Sequence, residues 1–309
     1  MQIQQSERAI ASHSMTFEAK EPIDLQRWVG KTETLHDLID PGTALALAAT
    51  LDDPAPLATG MPLPPLWHWT YFRSVAPQAQ LGADGHPERG GFLPPIDLPR
   101  RMWAGGRFRF NRPLTIGAQA TRTSRILSVS SKSGKSGELA FVTVQHDVSC
   151  AGAPCFTEEH DIVYRNMPPP GTVAPTPPAA PGGATWEQVI TPDPVLLFRY
   201  SALTFNGHRI HYDRSYVTQV EGYPGLIVHG PLIATLLVEL LRRNLPQAQL
   251  ASFSFRAISP LFDTESFTVC GAADVDGTTV RLWARNASGG LAMQAEAVLA
   301  PSPVSGAPQ

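Results

Sequence analysis

Charge is scarce in this chain. Lys, Arg, Asp and Glu make up 17% of its 309 residues, against about a quarter in ordinary soluble domains. The net charge is −3, with both signs scattered. No basic face for a nucleic-acid backbone and no polybasic membrane patch can be assembled from so few clustered cations. Cysteine is scarcer still, at three residues. Cys150, Cys155 and Cys270 cannot all pair, form no metal-ligand spacing and suit a reducing compartment. "CAGAPC" reads as two thiols flanking a Gly-Pro hairpin turn, ahead of a redox or zinc motif. No run reaches the ~18 uninterrupted apolar residues of a membrane span. The opening "MQIQQSERAIASHSM" has neither the apolar core of a secretion signal nor the arginine richness of a transit peptide. A soluble, cytoplasmic protein without nucleic-acid or membrane partners is expected.

Proline, by contrast, is plentiful, and it concentrates in "NMPPPGTVAPTPPAAPGGATW", residues 166–186. A Pro/Ala/Gly stretch without charge cannot bury a core and tends to extended conformations, so it reads as a linker. The expected division is an N-terminal extension 1–24, a first domain 25–165, the linker 166–186, a second domain 187–301 and a tail 302–309.

The two domains share a layout. In the first, "DLIDPGTALALAATLDD" reads as a helix with Asp40 as N-cap and Pro41 at the first helical position. "GGRFRFNRPLTIG", "QATRTSRILSVSSKSG", "GELAFVTVQHDVSCAG" and "APCFTEEHDIVYR" then alternate with period two between Gly-rich turns, as antiparallel strands do. In the second, the helix at 231–243 precedes "ASFSFRAISPLF", "ESFTVCGAADVDG", "TTVRLWARNASG" and "LAMQAEAVLA". "PLIATLLVELLRR" is apolar nearly all round, so this helix is enclosed. An enclosed helix followed by a sheet able to curl round it is a hot-dog arrangement. The expected fold is α+β, a double hot-dog: two antiparallel sheets, each curled round a long central helix.

Polar chemistry gathers just ahead of the greasiest helix. "LTFNGHRIHYD" places Asn206, His208, His211 and Asp213 in a segment with neither helical nor strand period. A single His there reads first as a satisfied core residue. Four such groups in one loop, held by a rigid scaffold, point to chemistry, and histidine is suited to proton exchange near neutral pH. In "VHGPL", Gly230 lets a ligand approach the backbone and Pro231 suits a first helical turn. The helix start then offers unpaired N–H groups to a developing oxyanion. Ordinary Gly-Pro helix initiation explains the same residues equally well.

"YSALTFNGHRIHYD" followed by "GYPGLIVHGPLIATLL" resembles the MaoC-like family of enoyl-thioester hydratases and dehydratases. That family's signature runs S-G-D-x-N-P-x-H, followed by V-H-G into the central hot-dog helix. The resemblance puts His211 in the place of the catalytic His and Gly230 in that of the thioester-binding glycine. It departs at the family's catalytic Asp, which falls on Asn206, and at the Asn-Pro pair, which falls on His208-Arg209. An amide can position water but cannot shuttle its proton. Either His211 works alone, or Asp213 or His208 supplies a second group, or this copy is inactive. The variant pattern resembles a narrower branch, the 3-methylfumaryl-CoA (mesaconyl-C4-CoA) hydratases and the mitochondrial-type 3-hydroxyacyl-thioester dehydratases. "PLPPLWHWTYF", "GADGHPERGGFLPP" and "LPRRMWAGGRFRFNRPLTIG" look like that branch's degenerate first hot-dog, so the likeness runs from about Leu25 to Leu299.

The resemblance implies a hydro-lyase acting on an acyl-CoA thioester, without metal or resident cofactor, the CoA or phosphopantetheine arriving with the substrate. His211, Asn206 and Gly230 would be catalytic; His208, Arg209, Asp213, His229 and Arg256 would contact substrate. Arg209 and Arg256 are the candidates for gripping a second carboxylate. The first hot-dog would shape the acyl pocket without catalytic residues. The pseudo-dimer within one chain leaves room for a homodimer. A thioesterase, a fatty-acid-type dehydratase and a non-catalytic thioester-binding subunit are the rivals. Three other stretches invite chemistry and lose to simpler readings. "SGKSGE" lacks the upstream glycine of a phosphate loop and reads as a hairpin turn. Trp67, Trp69 and Tyr71 read as a half-buried strand before an adenine site. Arg107, Arg109 and Arg112 read mostly as a solvated strand edge.

Overall fold

The computed structural model describes residues 24–301 apart from 135–136, 168, 170 and 173–174. The expected extension (but for Asp24) and the tail lie outside the described residues. The first half contains β1 (Thr32–Leu38), α1 (Pro41–Leu51), β2 (Arg100–Phe110), β3 (Gln119–Gly134), β4 (Gly137–Cys150) and β5 (Ala153–Arg165). The second half contains β6 (Trp186–Ile190), α2 (Pro194–Thr204), α3 (Arg214–Gln219), α4 (Gly230–Asn244), β7 (Leu250–Ala257), β8 (Phe267–Ala273), β9 (Thr279–Arg285) and β10 (Leu291–Leu299). Helix α1 starts where its capping residues predict: the Asp40 carboxylate accepts from the N–H groups of Gly42 and Thr43, and Pro41 follows. Hairpin β4–β5 turns through Ala151 and Gly152, both in the left-handed region. The three thiols are unpaired and buried. Hairpin β3–β4 closes with Gly134 opposite Gly137, inside "SGKSGE".

All strand pairs are antiparallel, but the two expected sheets are one. The order β1-β3-β4-β5-β2-β7-β10-β9-β8-β6 runs through both halves as a single ten-stranded sheet. The seam is β2 against β7, from Gly105 opposite Arg256 to Arg109 opposite Ser252. Glycine is required there: a Cβ on Gly105 would stand 2.7 Å from the Phe255 carbonyl oxygen. Strand β2 therefore lies at the middle of the sheet, and the solvated edge expected around Arg107 is absent. Arg107 instead bridges Glu159 and Asp161 on β5, while Arg112 donates to the Cys150 and Ala153 carbonyls.

Helix α4 is the centre of the second half. Every residue from Leu232 to Leu241 is buried, including Glu239. Helix α1 is shorter, and its core face is Ala44, Leu47, Ala48 and Leu51. The expected strand at Trp67–Tyr71 is a 3-10 turn, Trp67–Thr70, and Trp67 is fully buried rather than lining an adenine site. Its indole N–H donates to Glu239 Oε1 at 2.8 Å, joining the halves at the core. The later part of the Pro/Ala/Gly stretch is no free tether. Ala180 N–H donates to the Gly289 carbonyl, and Pro178 and Gly271 carbonyls accept from Leu291 and Thr185.

Candidate active site

Helix α2 ends at Phe205 in the left-handed region, and the chain turns at once into the polar loop. The Asn206 N–H donates to the Ser201 carbonyl. Asn206 Oδ1 accepts the His208 N–H at 3.0 Å, which assigns the amide: Nδ2 is the atom left to hold a water. A 3-10 turn, Arg209–His211, follows, and Asp213 caps α3 by accepting from the Tyr216 N–H.

His211 is 7% exposed. Its Nδ1 lies 2.7 Å from the Ile227 carbonyl oxygen, which must receive an N–H. Nε2 therefore carries the lone pair and is the basic atom. Burial pushes the imidazole pKa down to about 4, against the Ile227 hydrogen bond, so the ring is neutral at physiological pH. It stacks on His229 with centroids 3.7 Å apart and planes at 17°. His229 Nε2 is 2.8 Å from the Ser201 hydroxyl, and burial, then His211 and His208, hold its pKa well below the ordinary value. His229 is thus a neutral platform that fixes the plane of His211.

Gly230 is the first residue of α4. Its N–H sits at the positive end of a buried helix, beside His229. A Cβ added there would meet only the Trp103 carbonyl oxygen, at 3.9 Å, so the space a side chain would take is open groove. One groove is lined by Asn206, His208, His211, Gly230 and Trp103. A base and an oxyanion donor thus face one space, the arrangement that adding water across an activated double bond requires.

Other expected site residues are placed differently. Asp213 Oδ2 takes both Nε and Nη2 of Arg209, at 3.0 and 2.8 Å. Arg209 also donates to the Ala83 carbonyl and lies over the Tyr216 ring. The pair anchors the loop, which removes Asp213 as a second proton carrier and Arg209 as an uncommitted cation. Arg256 is exposed on β7, pointing away from the face that carries buried Phe253 and Phe255, and does not line the groove. His208 does line it, edge-on to His211 at 5.5 Å.

The first half reaches further in than expected. Its loop 82–88 abuts the polar loop so tightly that a Cβ on Gly85 (φ +86°) would stand 1.9 Å from the Gly207 carbonyl oxygen. The Asp84 carbonyl accepts the Arg209 N–H. His86 Nδ1 bonds Asp84 Oδ2 at 3.0 Å, and its ring lies tilted against His208, centroids 4.0 Å apart. Although burial opposes it, the hydrogen bond from His86 holds the Asp84 carboxyl below the usual range. Asp84 and His86 therefore line the candidate site, a stretch the sequence marked only by the likeness of "GADGHPERGGFLPP" to the branch's first hot-dog.

Deeper along the groove, the inner face of the first half holds a polar layer between two apolar clusters. Glu158, 1% exposed, meets His68 Nε2 and Trp69 Nε1 through Oε2. His160 Nε2 lies 2.9 Å from Oε1 but out of line for a hydrogen bond. Burial works against ionisation, yet His160 and His68 keep the Glu158 carboxyl well below the usual range. His146 adjoins, bonded to the Ser124 hydroxyl at 2.8 Å. By donor chemistry, Asp84–His86–His208 and His146–Glu158–His160 could each hold a divalent cation, their ligand atoms lying within 4.8 Å of one another. In both groups hydrogen bonds already engage part of the donor set.

Comparison with known proteins bears on the fold and the family. Against curated sequences, the chain is 50% identical over 274 residues to the mesaconyl-C(4)-CoA hydratase of Chloroflexus aurantiacus, covering 88% of this chain and 96% of that one. It is 29% identical over 233 residues to the mitochondrial hydroxyacyl-thioester dehydratase type 2 of Schizosaccharomyces pombe, covering 67% and 77%. Among solved structures, a MaoC-like dehydratase superposes with a TM-score of 0.68 at 16% identity, over 90% of this chain and all of that one. A double hot-dog protein of Mycobacterium tuberculosis gives 0.51 at 16% identity, over 88% and 96%. These likenesses show the fold, a double hot-dog. The family model of hydroxyacyl-thioester dehydratase type 2 matches residues 66–263, and the chain belongs to that family of hydro-lyases.

Proposed function

We propose that the protein hydrates an enoyl-CoA whose acyl group carries a free carboxylate, of the mesaconyl-C4-CoA (3-methylfumaryl-CoA) type. The observation that carries this reading is the pairing of His211 Nε2, its tautomer set by Ile227, with the Gly230 N–H in one groove. The thioester carbonyl accepts from Gly230, which draws electron density from the β-carbon. A water held by Asn206 Nδ2 attacks that carbon as His211 takes its proton. The imidazolium so formed returns the proton to the α-carbon, and the enolate collapses to the saturated thioester. H and OH are both accounted for by one water and one base, so Asn206 has no proton to carry. The enolate charge beside His211 favours the imidazolium at the moment it is needed.

A long apolar acyl chain suits the groove less well than a dicarboxylyl group, because the guanidinium groups of Arg101 and Arg122 line it. The reading needs no cofactor beyond the CoA that the substrate carries. Unpaired thiols favour a reducing compartment such as the cytoplasm. Two hot-dogs in one chain complete the site, so a homodimer would be an addition to the working unit. The test is a panel of enoyl-CoAs differing in length and polarity, followed by loss of the conjugated-thioester absorbance. A dicarboxylyl enoyl-CoA should be the best substrate. Release of thiol in place of hydration would make the protein a thioesterase and overturn the reading.

A further inference from the structure

In a 3-methylfumaryl thioester the free carboxylate sits on the β-carbon, the atom that takes the water. Whatever binds it must lie beside the water site. Few arginines can do so, and Arg165, which also lines the groove, stands across from Arg100, on the other face of the sheet from Arg101. Arg209 is committed to Asp213, and Arg100 to the Glu221 carboxylate and carbonyl. Arg89 is spent on the Ile96 and Pro99 carbonyls. Arg122 lies in the deeper layer, over the Phe72 ring.

Arg101 is different. It lines the groove, is half-buried and has no ion pair among the described residues. On β2 it stands opposite Tyr164, whose buried side chain faces the interior, so the arginine shares that face. Two residues on, the Trp103 carbonyl passes beside Gly230. On its other side, the Arg101 charge bears on both His86 and His208. A half-buried guanidinium without a counter-ion, between the oxyanion donor and the histidine cluster, is a site for an anion.

We propose that Arg101 grips the β-carboxylate of the acyl group and so sets the enzyme's preference for dicarboxylyl thioesters. This rests on the hydratase reading for its substrate, but its test does not require turnover. Succinyl-CoA and butyryl-CoA are saturated probes of similar length, one with a carboxylate at the corresponding carbon and one without. The wild-type protein should bind succinyl-CoA more tightly than butyryl-CoA. Arg101→Gln should weaken succinyl-CoA by about 100-fold while leaving butyryl-CoA within about 3-fold. Arg101→Lys should recover only part of the preference, because an ammonium cannot bond bidentately. Because the readout is a ratio on one protein, partial unfolding lowers both affinities and cannot mimic it. A wild type without preference, or an Arg101→Gln protein that keeps the full preference, overturns the assignment. A hydratase reading that fails shows itself separately, as absence of hydration in the wild type whatever the binding ratio.

Discussion

In the proposed mechanism His211 is the base, and its environment predicts how it responds to pH. The folded pKa of about 4 lies below the ordinary value of about 6.5, so the neutral base persists until the pH falls through about 4. The acid limb of kcat/KM in the free enzyme should therefore lie near pH 4, and a limb near 6.5 would place the ring in water. His211→Ala should lower turnover by about 10² or more with the fold intact, as loss of a general base does. Asn206→Asp adds a negative charge to the same loop and should move the acid limb upward. This substitution also separates orienting a water from exchanging its proton. An aspartate at that position still accepts from His208 but loses the Nδ2 donor.

At the scale of elements, α4 ties the site to the core. Its N-terminus presents Gly230, and two turns later Glu239 reaches across to Trp67 of the first half. Arg242 holds the same carboxylate at 2.7 and 2.6 Å and also reaches Asp53. Trp67→Phe removes one donor from a buried carboxylate and should cost about 1–3 kcal/mol. That corresponds to a fall of several degrees in Tm for a chain of this size, and a scanning melt would detect it. An unchanged Tm would mean Arg242 alone satisfies Glu239. The Asp40-Pro41 start of α1 and the all-round apolar run of α4 made both helices legible in advance. Helix α2 and strands β1 and β6 were not.

At the scale of the whole molecule, the first hot-dog helps to wall the candidate site. Its loop 82–88 brings Asp84 and His86 against His208, at an approach that only Gly85 allows. Gly85→Ala adds a methyl where the Gly207 carbonyl stands and strains a positive φ. The loop must move, so turnover should drop at least about 10-fold while far-UV circular dichroism stays native-like. Full activity in that variant would show that Asp84 and His86 do not serve the site.

Local signals made some of this protein readable as a string of letters. Asp40-Pro41 starts a helix because a carboxylate cap and a missing N–H both suit that place. Period-two alternation marks the long strands, and the Asn206-to-Gly230 motif marks the candidate site. The rest depends on partners distant in sequence. Nothing local says that β2 pairs with β7 to fuse two sheets, since Gly105 and Arg256 are neighbours only after folding. Nothing local separates Arg209, neutralised by Asp213, from Arg101, which no acid meets among the described residues. An arginine's role is set by the charges that surround it, and tertiary packing decides which charges those are.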